Sequence, residues 1–429
     1  MNSTNSTNDL LQKAKKYRWY IFWILAFGYV LVYFHRLCPA VVAVEMMKDL
    51  NATGALTGFL GAAYFYPYAA MQLPAGLLSD SWGPRNTITL FFGIAFIGSV
   101  ILAMAPSVAL AIFGRTLVGL GVAMLFVPTM KILAEWFHTR EFAMMTGILM
   151  ALGGLGSLIA ATPLVWLSNW IGWRQSFLFV GVFTLLLAIL VFLIVRDKPA
   201  DKGLPSPAES PQTAPEPIAL IAGVKKVVTT PYFWPVAVWF FFDCAIFFSF
   251  GGLWGGPYLM QVYGYSKSQS GQILSMLAIG MIVGSPLVSF LSNNIIKSRK
   301  KTIIFSSIVV FMLMLPLTFF TATIPLVWHY IICLGLGIFS SAIVVIGFTT
   351  NKELFPVQMA GTATGMINLF PFLGGAVFQP VLGFVLEQNG KVDGAFTLSG
   401  YRQAFLVLFM CSVIALIASF FMKETLENQ

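Results

Sequence analysis

Charge is what this chain has least of: Asp, Glu, Lys and Arg make up 10% of its 429 residues. A soluble domain carries about a quarter of its residues as charges, so a water-covered globule is excluded. Histidine occurs three times, too scattered to compose a metal site. The four cysteines, Cys38, Cys244, Cys333 and Cys411, lie in or near apolar runs without metal-ligand spacing and read as small core residues. No Gly-rich phosphate loop precedes a helix and no Walker motif occurs, so an ATP-driven pump is excluded. With no soluble segment to house catalysis, the chain is expected to be no enzyme and to need no cofactor or metal. The polar start, Met1–Asp9, has no apolar signal segment and is expected to lack fixed structure.

What fills the chain is apolar: 58% hydrophobic residues, with 40 Phe. Twelve runs are long enough to cross a bilayer: about 19–44, 55–79, 87–105, 108–134, 141–167, 174–195, 232–260, 269–293, 302–321, 325–350, 361–386 and 402–422. They are numbered here as spans 1 to 12. Between spans 6 and 7, Pro and charge concentrate at Arg196, Asp197, Lys198, Pro205, Pro207, Pro211, Pro215 and Pro217, which reads as a linker. Within it Ile218–Val228, with Lys225 and Lys226, reads as an interfacial amphipathic helix. The expected organisation is a tail (1–18), six spans (19–195), a linker (196–230), six spans (231–422) and a second tail (423–429). The net charge of +9 would suit nucleic acid, but its placement does not: 17 Lys/Arg fall on one side of the spans, 5 on the other and 3 inside. That asymmetry puts both termini in the cytoplasm of a multi-pass protein, as in a bacterial inner membrane.

The loop between spans 2 and 3 reads Gly76-Leu-Leu-Ser-Asp80-Ser-Trp-Gly83-Pro-Arg85-Asn. Gly76 would allow close backbone approach, Gly83 a positive φ, and Asp80 could sit at a helix N-terminus. The pattern resembles the signature loop of the major facilitator superfamily of secondary transporters. An internal repeat agrees: Glu135-Trp-Phe…Thr146-Gly147 matches Glu353-Leu-Phe…Thr364-Gly365, and Leu-Ser-Asp80 matches Leu-Ser-Asn293 ahead of Lys297-Ser-Arg299-Lys300-Lys301. Arg115-Thr-Leu-Val-Gly119-Leu-Gly121 is similar to the family's span 4 motif. The resemblance implies an all-α polytopic membrane protein, twelve helices in two pseudo-symmetric six-helix bundles. These would rock about a central site to move a small-molecule substrate, in a lipid bilayer and as a monomer. It also implies that Gly76, Asp80, Gly83, Arg85, Glu135 and Arg140 serve the conformational switch.

Ionisable residues deep in spans are costly and therefore functional candidates. Arg36 lies about 26 Å from the cytoplasmic end of span 1 at 1.5 Å per residue, and Arg115 lies at a similar depth in span 4. Two such cations would repel without an anion between them, and a guanidinium grips carboxylate or phosphate through two nitrogens. Alternatively Arg115 braces neighbouring helices through backbone carbonyls. Asp243, a carboxylate near the midplane of span 7, and His35 are candidates for carrying a coupling proton. Tyr33, Tyr64, Tyr68, Trp254, Asn368 and Gln379 are candidates for lining the substrate site. The stretch Phe250-Gly251-Gly252-Leu253-Trp254-Gly255-Gly256-Pro257-Tyr258 is expected to break or soften span 7 at an outer gate.

Tyr33-Phe-His35-Arg36 followed by Pro39 resembles the span 1 signature of the anion:cation symporter branch, and the overall pattern is similar to nutrient permeases of intracellular bacteria. The branch typically has Asp before the Arg, where this chain has His35, and often Glu seven residues after the span 4 Arg, where it has Val122. Those departures put its proton-coupling mechanism in doubt and leave the arginines in place. The reading is a proton-coupled symporter of a small organic anion or zwitterion. Nucleoside or sugar-phosphate permease, drug exporter and non-transporting nutrient receptor stand as alternatives.

Overall fold

The computed structural model describes residues 2–205, 220–356 and 359–426. Among them ten helices are long and apolar enough to cross a membrane. Two further helical segments, 54–81 and 139–171, are interrupted by turns, and with them the arrangement is consistent with the twelve expected runs. Span 1 is Asn2–Leu37 continued by Pro39–Asp49. Helix begins at Asn2 rather than after a structureless tail, with Asp9 and Lys13 paired one turn apart at 2.9 Å. Span 2 is Gly54–Ala62, Phe65–Ala70 and Gln72–Ser81. Spans 3 and 4 are Pro84–Met104 and Val108–Trp136, the latter with a turn at Met124 and Leu125. Span 5 is 139–171 and span 6 is 173–194, separated by Gly172 at φ 81°.

Spans 7 to 12 are Phe233–Tyr263, Lys267–Ile295, Arg299–Phe319, Leu326–Glu353, Ala360–Gln388 and Leu398–Phe420. Helix starts carry the residues that satisfy free N–H groups: Thr53, Ser107, Ser266, Ser298 and Thr397 each accept from a backbone N–H three residues on. The glycine-rich stretch of span 7 does not break; Phe247–Trp254 winds as π-helix and runs on into Gly255–Tyr263. Glycines permit the wider turn, and the backbone stays hydrogen-bonded, as a lipid setting demands. The linker holds a helix at Leu220–Thr229, against span 11 through Gly223 and Thr362, with Lys225 and Lys226 exposed. Ile218 and Ala219 lie outside the described residues. All four cysteines are buried and free.

The termini and the linker share one face, called here the terminal face. Spans 1–6 pack among themselves, as do spans 7–12. The contacts that join the two sets run from mid-depth to the opposite face. There the backbone N–H of Gly54 donates to the Glu387 carboxylate (2.6 Å) and Lys267 pairs with Glu45 (2.7 Å). Farther in, Thr162 and Ser275 share a hydrogen bond of 2.9 Å, and the Tyr66 hydroxyl donates to the Ala376 carbonyl at 2.8 Å.

Candidate functional site

The deepest cross-link between the two sets surrounds Arg36, on the last turn of Asn2–Leu37. Its guanidinium lies over three rings, Tyr33 at 4.2 Å, Tyr68 at 5.0 Å and Phe372 at 4.9 Å from the centroids. Tyr33 is on span 1, Tyr68 on span 2 and Phe372 on span 11, so both sets build the cage. Nη2 donates to the Tyr68 hydroxyl at 2.9 Å, and Nε is buried without a partner. Among the described residues Nη1 makes no hydrogen bond and no ion pair engages Arg36. One helical turn toward the terminal face, the Gln72 amide donates to the Tyr68 carbonyl (3.1 Å) and the Asn368 amide donates to the Gln72 Oε1 (2.6 Å). Cation–π contact and a single hydroxyl hold this guanidinium; neither cancels its charge.

Arg115 has different partners. Pro39 has no N–H, so the His35 carbonyl, four residues back, loses its helical donor. The Arg115 Nη2 donates to that carbonyl at 2.5 Å, and its Nη1 reaches the Cys38 sulfur at 3.7 Å. The side chain is 1% exposed and lies against Tyr64 at 5.2 Å. Tyr64 in turn stacks on Tyr68 at 5.6 Å, so the two cations rest on successive rings of one stack. The Tyr64 hydroxyl is turned to the Val32 carbonyl. Replacing Arg115 with Met leaves the His35 carbonyl only the weak Cys38 thiol donor, at 3.5 Å, and is expected to cost about 1–3 kcal/mol. Adding Pro39→Ala restores a backbone donor and is expected to recover most of that loss in thermal unfolding of the purified protein. An unchanged melting temperature in Arg115→Met would remove the bracing role.

His35 is fully buried, beside the Phe34 ring, with neither ring nitrogen bonded. Asp243 is buried where spans 7 and 10 meet; Oδ2 accepts from the Ser340 hydroxyl at 3.1 Å and Oδ1 has no partner. Among the described residues it makes no ion pair with either arginine. Trp254 is fully buried, with its indole N–H on the Gln379 carbonyl, and the Gln379 amide donates to the Phe248 carbonyl on the π-helical turn. Tyr33 and Tyr68 therefore gather around Arg36 with Tyr64 stacked on Tyr68, Asn368 lies one helical turn away on Gln72, and Trp254, Gln379 and Asp243 make their hydrogen bonds elsewhere.

The residues expected to serve a conformational switch lie at the terminal face. Gly83 has φ 83°, and an added Cβ at Gly76 would meet open space, so no close approach explains that glycine. The anion at the start of span 3 is not Asp80 but Asp197, whose carboxylate accepts from the Arg85 N–H at 2.7 Å. Burial holds the Asp197 carboxyl above its usual range against that bond. Asp80 instead pairs with Lys131 at 2.5 Å, and the Arg85 side chain donates to the Phe192 carbonyl. The repeat reproduces the Asp197 arrangement: Glu424 accepts from the Arg299 N–H at 2.9 Å, and Arg299 bonds Asn293 (2.5 Å) and Glu353 (3.4 Å). Burial opposes ionisation of Glu424, but the Ser298 hydroxyl and three backbone N–H groups hold its pKa below the usual range. Glu135 is exposed on the last turn of Val108–Trp136, and the Arg140 side chain lies outside the described residues.

Sequence reasoning missed Phe372, one of 40 phenylalanines with nothing to single it out. The Pro39–His35–Arg115 link was recoverable from the four-residue step between Pro39 and His35.

A profile of the Major Facilitator Superfamily matches residues 25–379. The probable sulfoacetate transporter SauU of Cupriavidus necator is 25% identical, over 91% of this chain and 92% of its own. The probable galactarate/D-glucarate transporter GudP of Escherichia coli is 22% identical (95% and 96%), and the hexuronate transporter of that organism 24% (89% and 90%). Among solved structures, a bacterial homologue of the human lysosomal transporter Spinster, in an inward-facing and unoccupied conformation, superposes with TM-score 0.74 at 18% identity, covering 94% of this chain and 96% of its own. The D-xylose-proton symporter gives 0.71 at 14% identity, covering 96% and 98%.

Proposed function

Because the chain belongs to the Major Facilitator Superfamily and is a multi-pass membrane transporter, we propose that its cargo is a small organic anion held through a carboxylate by Arg36, moved by alternating access and coupled to protons. The observation that carries this is the caged Arg36, a cation between the two sets of spans without a protein anion. A carboxylate on the free Nη1 edge would supply the missing countercharge. The relatives, a probable sulfoacetate transporter, a probable galactarate/D-glucarate transporter and a hexuronate transporter, are all named for acids, which supports the anion class.

Spans 1–6 and 7–12 are the two moving bodies in this reading, and the excess of Lys and Arg puts the terminal face in the cytoplasm. Joined at the opposite face, the molecule would then be in its inward-facing state. Arg115 acts as a brace for span 1. Asp243 is the proposed proton carrier, with His35 second. A buried carboxyl whose Oδ1 lacks a partner is a place where adding a proton changes little else.

The test is uptake of labelled hexuronate into proteoliposomes, with and without an inside-alkaline pH gradient. Wild type is expected to accumulate the acid under the gradient, and Asp243→Asn to exchange it without accumulating it. Uptake of neutral sugars or nucleosides in preference to acids would remove the anion assignment. Gradient-driven accumulation in Asp243→Asn would remove that residue from coupling.

A further inference from the structure

The anion reading leaves open how many negative charges the substrate bears. We infer that the site takes monoanions, a single carboxylate followed by a short hydroxylated chain, and discriminates against dianions of the same length. This rests on the proposed function and narrows it.

The sequence places two arginines at one depth, which would suit a substrate with two anionic ends. The structure leaves only one of them available. Arg115 has both terminal nitrogens engaged, with the His35 carbonyl and the Cys38 sulfur, and its Nε is buried without a hydrogen-bond partner. Freeing it would leave the carbonyl that Pro39 deprives of its helical N–H with only the Cys38 thiol, at 3.5 Å. Among the described residues the paired cations lie at the two faces: Lys13 with Asp9, Arg18 with Glu141, Lys131 with Asp80, Arg299 with Glu353, Lys267 with Glu45 and Lys391 with Glu387. The remaining titratable groups around Arg36 are the phenols of Tyr29, Tyr33, Tyr64 and Tyr68, the Cys244 thiol, His35 and Asp243. His35 meets Arg115 through its backbone carbonyl. Asp243 offers a second carboxylate either repulsion or no charge at all.

Arg36 itself can take only one anionic group. Three rings lie against the guanidinium, one Nη2 hydrogen goes to Tyr68 and Nε is buried, so a single edge, Nη1 with the second Nη2 hydrogen, remains. What lies next along the site is neutral. Gln72 and Asn368 sit one helical turn, about 5 Å, beyond Tyr68 and Phe372, with their amides bonded across the two sets of spans. Amides of this kind donate to and accept from hydroxyls, and they leave an ionised carboxylate uncompensated in a low dielectric. A hydroxylated chain replaces the Gln72–Asn368 bond with bonds of its own; a second carboxylate would break it and gain no cation.

The experiment measures equilibrium binding to the purified full-length protein in lipid nanodiscs at pH 7.5, where every carboxylate of the panel is ionised. The ligands are D-gluconate and D-glucuronate with one carboxylate, D-glucarate with two, and sorbitol with none. At least one monoacid is expected to bind tenfold or more tightly than glucarate. Asn368→Lys, and independently Gln72→Lys, places a cation in the amide layer and is expected to shrink that ratio at least fivefold. Glucarate binding as tightly as the better monoacid in wild type overturns the monoanion inference and leaves the anion reading standing. Sorbitol binding as well as the acids overturns the anion reading itself. Failure of every acid to bind overturns the hydroxy-acid assignment.

Discussion

Arg36→Gln is expected to weaken acid binding at least about 100-fold, roughly 3 kcal/mol at 1.4 kcal/mol per decade, with little change in melting temperature. The asymmetry follows from what Arg36 does for the protein and what it would do for a ligand. To the fold it gives one hydrogen bond, to a Tyr68 hydroxyl that can find another partner, and face contacts with three rings. Gln retains a donor and fills part of that space. To a carboxylate it gives the one uncompensated positive charge in the cage, and a charge-assisted bond in a low dielectric is the strong kind. Arg36→Lys is expected to recover less than a tenth of the lost affinity. An ammonium is a point charge that lacks the planar fork and stacks poorly among Tyr33, Tyr68 and Phe372. Titration calorimetry and thermal unfolding on the same preparations check both. A folded Arg36→Gln protein that binds the acid as wild type does would sink the site. Arg115→Met is the contrast, with its main effect on stability.

The architecture was legible because a membrane chain writes it in few symbols. Long apolar runs fix the crossings, positive charge marks one face, and the offset of Glu135 and Glu353 exposes the duplication. Span 2 shows where that legibility ends: its run is continuous in sequence, yet the helix turns at Ala63–Tyr64 and at Met71, and those turns set where Tyr68 and Gln72 face. The site was legible only as a set of candidates. Arg36 and Arg115 look alike in sequence, and what separates them is a missing N–H at Pro39 and the identity of the nearest acceptor. Asp80 and Asp197 illustrate the same limit. Either could serve the start of span 3 by charge, and only the path of the chain after span 6 decides for Asp197. Phe372 is apolar in an apolar chain, so no pattern marks it.

Gly58→Leu is expected to fold, to lose more than about nine-tenths of transport, and to rest with its opposite face open. In this structure a Cβ on Gly58 would stand 2.5 Å from the Gln379 carbonyl oxygen and 2.6 Å from the Pro380 Cα. Both are backbone atoms of span 11, so no side-chain rotation relieves the clash. The glycine is there because spans 2 and 11 touch backbone to backbone, as helices in lipid do through small residues. Overpacking such a contact costs about 1–3 kcal/mol or more, which moves a two-state equilibrium about 5- to 150-fold toward the arrangement that avoids it. In the alternating-access reading such an arrangement exists, because opening the opposite face carries span 2 away from span 11. Spin labels at Asn51 and Asp393, both exposed on that face, are expected to report longer separations in Gly58→Leu than in the parent. Gly76→Ala is the control: its new methyl enters open space, so separations and transport are expected to match the parent. Unchanged label distances in a folded Gly58→Leu protein would mean that spans 2 and 11 stay together through the cycle. The moving seam would then have to lie between spans 5 and 8, where Thr162 meets Ser275.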